Sequence, residues 1–164
     1  ASDFRQSRFW GTTHWNLGAG TFLAKELDSI RFIEHRFFRG SDQLLLSNPT
    51  TSLQALDSTY HTARPWVEAY AIHHFDRSLL DRIPLVRALH LVPVVGGGML
   101  YVAEAKVFHA EVYGGLELPI RLWDQRMRVG AYRIWTDQGN PQVPGFRLKL
   151  GVDFYDSYRG RWNY

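Results

Sequence analysis

The stretch Phe146-Arg147-Leu148-Lys149-Leu150-Gly151-Val152-Asp153-Phe154-Tyr155 decides how the whole chain reads. Phe146, Leu148, Leu150, Val152 and Phe154 alternate with Arg147, Lys149, Gly151, Asp153 and Tyr155. A period of two belongs to a β-strand, whose successive side chains point to opposite faces. One face is apolar and the other mostly polar. A tilted strand crosses a bilayer in roughly 9–11 residues, with apolar side chains toward lipid and polar ones toward the lumen. The expectation is therefore that Phe146, Leu148, Leu150, Val152 and Phe154 face lipid while Arg147, Lys149 and Asp153 face the interior. An arginine at Leu150 should then be costly and one at Lys149 nearly silent.

The same alternation recurs upstream. Phe108, Ala110, Val112, Leu116 and Leu118 share one face, with Phe108, Val112 and Leu116 assigned to lipid. His109, Glu111, Tyr113 and Glu117 share the other, lumen-facing side, thinned by Gly114 and Gly115. Near the start, Trp15, Leu17, Ala19, Thr21 and Leu23 oppose His14, Asn16, Gly18, Gly20 and Phe22. Four further segments mix polar and apolar residues on their faces: Arg31 to Phe38, Trp66 to Phe75, Leu89 to Val102 and Met127 to Thr136. The third is apolar on both faces and carries Gly96-Gly97-Gly98, which suits either a strand passed closely by another element or bent sharply, or a short buried helix. Turn signals such as Ser47-Asn48-Pro49 and Asp137-Gln138-Gly139-Asn140-Pro141 separate the segments. Leu79, Leu80 and Ile83 fall at helical spacing, so residues 76–86 read as a short helical or turn segment between strands. About seven or eight strands without a long amphipathic helix indicate an all-β antiparallel meander over residues 1–164, either a transmembrane β-barrel or the carboxy-terminal part of one.

Composition narrows the classes. The longest apolar run, Val92 to Val102, is too short for a membrane helix, which needs about 20 residues, so any crossing must use strands. Nineteen basic and 16 acidic residues are interspersed, without the basic stripe that tracks a phosphate backbone, so nucleic acid is excluded as a partner. Of the cations only Lys25, Lys106 and Lys149 are lysines; the arginine excess suits carboxylate or lipid-phosphate pairing, and equally a GC-rich genome. No cysteine is present, which removes disulfides and zinc-thiolate sites. The amino terminus, Ala1-Ser2-Asp3-Phe4-Arg5, lacks the regions of a secretory signal, so an exported chain would be a mature or internal fragment. The tryptophans Trp10, Trp15, Trp66, Trp123, Trp135 and Trp162 lie near proposed strand ends, as in interface belts, with core packing as the plainer explanation.

Several blocks carry a family resemblance. Gly18-Ala19-Gly20, Leu27-Asp28-Ser29-Ile30, Glu34-His35-Arg36 and Arg39-Gly40-Ser41-Asp42 come first. Trp66-Val67-Glu68 then leads through His73-His74-Phe75 to Leu79-Leu80-Asp81-Arg82-Ile83-Pro84-Leu85. Ala110-Glu111-Val112-Tyr113-Gly114-Gly115-Leu116 and Arg126-Met127-Arg128-Val129 follow. In this order they resemble a family of large Bacteroidetes-type outer-membrane proteins with an amino-terminal carboxypeptidase-regulatory-like domain and a carboxy-terminal barrel. The family has no assigned activity. The chain departs from it at Gly130, where an acidic residue is favoured, and in the tail from Ser157 to Tyr164. The resemblance implies a longer protein, of which this chain is a part.

Candidate chemistry is sparse. His73 and His74 are adjacent and on a strand would point to opposite faces, while His14, His35, His61, His90 and His109 are scattered, so no metal site and no cofactor are expected. Ser58, His61, His109, Glu68 and Glu111 supply the residue types of a lipid hydrolase, but no spacing joins them and no Gly-x-Ser-x-Gly elbow exists. Glu68, Glu111 and Glu117 with Arg128, Arg133 and Arg147 read better as interior ion pairs. The sequence thus points to a non-enzymatic outer-membrane barrel, structural or transport-associated. Its expected partners are outer-membrane lipid and lipopolysaccharide, the barrel-assembly machinery and other outer-membrane complex subunits. The alternatives are a soluble small barrel holding an apolar ligand and, behind it, an outer-membrane lipid hydrolase.

Overall fold

The computed structural model describes residues 2–7, 11–21, 35–41, 46, 52–56, 61–75, 80, 89–103, 107–136, 146–156 and 161–162. For residues 2–7, 107, 146–147, 156 and 161–162 only the backbone is described. The strands are β1 (Ser2–Ser7), β2 (Gly11–Gly20), β3 (Arg36–Phe37), β4 (His61–Thr62), β5 (Trp66–His74), β6 (Val92–Val102), β7 (Val107–Leu122), β8 (Gln125–Thr136), β9 (Phe146–Asp156) and β10 (Arg161–Trp162). Eight of them form one sheet in the order β1-β2-β5-β6-β7-β8-β9-β10, and β3 pairs with β4 apart from it. All strand ladders are antiparallel and the described residues contain no helix, so the fold is all-β. Among the described residues no ladder joins β1 to β10, so the barrel is not closed there.

The strand from Val92 to Val102 is extended throughout, not a buried helix, and it starts after a turn at Leu89 and His90 rather than at Leu89 itself. His90 takes a left-handed φ of 52°, which breaks the strand. The glycines of β6 serve close approach: a Cβ on Gly98 would lie 2.6 Å from Leu53 Cδ2. A strand expected over Arg31 to Phe38 is realised as Arg36–Phe37, with 31–34 outside the described residues. The segment 76–86 also lies outside them, apart from Leu80 in a turn. Alternation did not reveal β1, β4 or β10, two of which are only two residues long.

Between β2 and β5 the chain leaves the sheet and lies across one of its faces. Leu53 bridges Gly40 in parallel, with Ser41 N donating to Leu53 O at 3.0 Å and Leu53 N to Arg39 O at 2.8 Å. Phe38, Leu53 and Leu56 from this insert pack with Leu100 and Val102 of the sheet, flanked by Trp66 and Tyr70. A second cluster, Ile72, Val94, Tyr113, Tyr132 and Ile134, fills the remainder of the same face. The sheet therefore has a covered face and an open one, between which the described side chains of the long strands divide.

Candidate functional site

The covered face carries the charged residues. On β7, His109, Glu111 and Glu117 are buried together with Tyr113, while Phe108, Val112, Leu116 and Leu118 are exposed. On β9, Lys149 and Asp153 are buried while Leu148, Leu150 and Phe154 are exposed and Val152 is intermediate. Burying a carboxylate is unfavourable unless donors replace its water.

Glu111 finds its donors in the insert. Its Oε1 accepts the main-chain amide of Gln54 at 2.7 Å and its Oε2 that of Ala55 at 2.9 Å, while His109 Nε2 stands 3.2 Å from Oε2. Gln54 is itself fully buried, and its Nε2 donates to Ser52 O and to Ser52 Oγ, both at 2.9 Å. From β9 the ammonium of Lys149 donates to Ser41 O at 2.6 Å. From β5, Glu68 Oε1 accepts Arg36 Nη2 at 2.9 Å, and that guanidinium lies 5.0 Å from the Trp66 ring centroid. Wall residues on three strands thus hold the backbone and side chains of one inserted segment.

Glu117 anchors a second constellation nearer the end of the sheet where β7 turns into β8. Tyr132 donates its hydroxyl to Oε1 at 2.8 Å; His74 Nε2 lies 3.2 Å and Arg128 Nη1 3.8 Å from Oε2. Tyr113 meets Tyr132 edge to face, with 6.1 Å between ring centroids. These carboxylates are held by donors in fixed positions, an arrangement suited to positioning a segment or a charge.

The residues singled out from the sequence separate as follows. Glu68, His109, Glu111, Glu117, Lys149 and Asp153 lie on the covered face, and Arg128 reaches Glu117. Arg133 does not join them: it is exposed, 5.1 Å over the Trp135 ring, because its odd position on β8 turns it to the open face. The expected ion pairs are thus redistributed, with Glu68 on Arg36 and Glu111 on main-chain amides. The side chains of Phe146 and Arg147 are not among those described. Lys149 is not a tolerant lumen position: its ammonium is buried on Ser41, so an arginine there must displace packed atoms. Trp15 sits mid-strand opposite Ala71, away from the ends, whereas Trp123, at φ 52°, occupies the exposed β7–β8 turn.

His73 and His74 part company: His73 Nδ1 is 2.7 Å from Thr13 Oγ1, and His74 reaches Glu117 on the other side of the sheet. Among the described residues no three His, Cys, Asp or Glu side chains are grouped to hold a metal. Ser58 lies outside the described residues. Arg36, Ser41, Gln54, His74 and Tyr132 were missed as contributors, and no local period marks them.

Residues 3–116 match the model of a family described as a family of unknown function (DUF5686), C-terminal domain. The comparisons with curated proteins and with solved structures gave no match.

Proposed function

The chain belongs to the DUF5686 C-terminal-domain family, and from that premise we propose that it is the membrane-embedded β-barrel region of a bacterial outer-membrane protein, structural or transport-associated and not an enzyme. One observation carries the proposal: polarity is inverted across the sheet. Val112 and Leu148 are 59% and 58% exposed on the open face, while Glu111 and Lys149, their sequence neighbours, are 4% and 2% exposed. The open face continues through Val95, Met99, Leu116, Trp135, Leu150 and Phe154, on four adjacent strands of the sheet, β6 to β9. Soluble monomers rarely leave a contiguous apolar patch beyond a few hundred Å2, and Lys and Glu are almost never fully buried without partners. In hydrocarbon the same distribution is the stable one, since lipid accepts the apolar wall and the paired charges face inward.

The family description, a C-terminal domain, supports membership of a longer protein. We further assign that protein to the Bacteroidetes type with an amino-terminal carboxypeptidase-regulatory-like domain, on the motif order from Gly18 to Val129. Lipid and lipopolysaccharide would contact the open face, the barrel-assembly machinery would recognise β9, and other outer-membrane subunits are candidate neighbours.

Cell fractionation tests the proposal. The protein should sediment with outer membranes, resist alkaline extraction, require detergent for release and show heat-modifiable migration. Release into buffer without detergent would overturn the membrane assignment and is the behaviour required of a soluble barrel holding an apolar ligand.

A further inference from the structure

The insert between β2 and β5 is tied to strands that lie far apart in the sheet. Its Arg36 pairs with Glu68 of β5 at 2.9 Å, and its Leu53 stands where a Cβ on Gly98 of β6 would meet it at 2.6 Å. Gln54 and Ala55 donate their main-chain amides to Glu111 of β7, and Ser41 O accepts from Lys149 of β9 at 2.6 Å. Leu46 adds a parallel bridge to Leu150 of β9. Four strand spacings separate β5 from β9, and at about 4.8 Å each they amount to roughly 19 Å along the sheet. A length of main chain covers that distance, where a single side chain does not.

Two kinds of contact hold the insert, and water acts on them differently. Phe38, Leu53 and Leu56 are buried against Leu100 and Val102, and hydrating that cluster is unfavourable. Glu68, Glu111 and Lys149 carry charges, which water would solvate if the insert withdrew. The apolar contacts therefore set the covered arrangement as the resting one. Without the insert, the charged residues would line a hydrated lumen, as polar residues do in open barrels.

We propose that the insert is a plug: it occupies the lumen, closes the barrel to ions and small solutes at rest, and opens a path only when its hold on Glu111 and Lys149 is released. Barrel interiors are either water-filled or blocked by a segment of the chain itself, and burial decides between the two here. A water-filled lumen would wet its charged wall, whereas Glu111 and Lys149 are 4% and 2% exposed beneath the insert. The inference rests on the membrane assignment, which makes the covered face the lumen face.

Ion flux across proteoliposomes tests it, using the full-length protein released from outer membranes by detergent. The heat-modifiable band of the same vesicles reports how much protein is inserted and folded. Vesicles of the unsubstituted protein should leak ions no faster than protein-free ones, and E111A/K149A should raise the flux at least tenfold. Steady flux through the unsubstituted protein would overturn the proposal, as would E111A/K149A vesicles that keep the heat-modifiable band and leak no faster. A second measurement does not need that variant to fold. The chain has no cysteine, so S41C supplies a single thiol at a position 3% exposed, on the residue whose carbonyl holds Lys149. In outer membranes it should react with a water-soluble maleimide at least tenfold more slowly than Q125C, at the exposed start of β8, and equal rates would overturn the plug. Fractionation keeps the two ideas apart: a chain that needs detergent yet conducts loses the plug alone, and a chain that stays in buffer loses the membrane assignment and the plug with it.

Discussion

The Glu111 carboxylate accepts the main-chain amide of Gln54 at 2.7 Å, across 57 residues of sequence, and so fixes the inserted segment to the sheet. The neighbouring amide of Ala55 and the His109 ring complete its shell. A buried carboxylate held in this way locates a backbone more strictly than apolar contact does, because hydrogen bonds are directional.

Replacing Glu111 by alanine leaves two main-chain amides and His109 without this acceptor, at about 1–3 kcal/mol for each buried donor left unsatisfied. Glu111→Gln keeps one acceptor oxygen and should cost less. Denaturant unfolding in detergent micelles, with limited proteolysis of residues 35–56, measures both. An unchanged midpoint for E111A would show that the insert is held by its apolar contacts alone.

Leu150 tests which medium the open face meets. It is 39% exposed, so in water an arginine there would be nearly neutral, whereas at the bilayer midplane it should cost about 2–4 kcal/mol. Gln125, exposed at the start of β8, serves as the charge control. The folded, heat-modifiable fraction in outer membranes should fall for L150R and hold for Q125R; matching fractions would remove the case for a lipid-facing β9.

Gly98 is a point of close approach between the insert and the sheet. A methyl group there would overlap Leu53 Cδ2, 2.6 Å away, and overpacking of this kind costs about 1–3 kcal/mol. Shortening Leu53 to alanine in the same chain should recover part of the loss. A double-mutant cycle of G98A and L53A should therefore return a favourable coupling, and additivity would place Leu53 elsewhere.

Tyr132 donates to Glu117 at 2.8 Å within the covered face. Tyr132→Phe removes the donor and leaves a buried carboxylate oxygen poorer by one bond, an expected loss of about 1–3 kcal/mol in the unfolding free energy. In an E117Q background the same substitution should cost less, since the acceptor is then uncharged. Equal losses in the two backgrounds would mean that the hydroxyl finds another partner.

Alternation in Phe108 to Leu118 and Phe146 to Phe154 determined strands, and it separated Val112 from Glu111 and Leu150 from Lys149, because period two is a property of the local backbone and each residue's face follows from its neighbour's. The antiparallel all-β class followed from the same signal. It could not show that Arg133 turns outward on Trp135, since that depends on the phase of β8 against β7. Nor could any local pattern bring Gln54 to Glu111 or Ser41 to Lys149, pairs separated by 57 and 108 residues. Those meetings were decided by the tertiary structure: buried charges on the sheet require donors and acceptors, and the insert between β2 and β5 is the piece of chain that lies over that face to supply them.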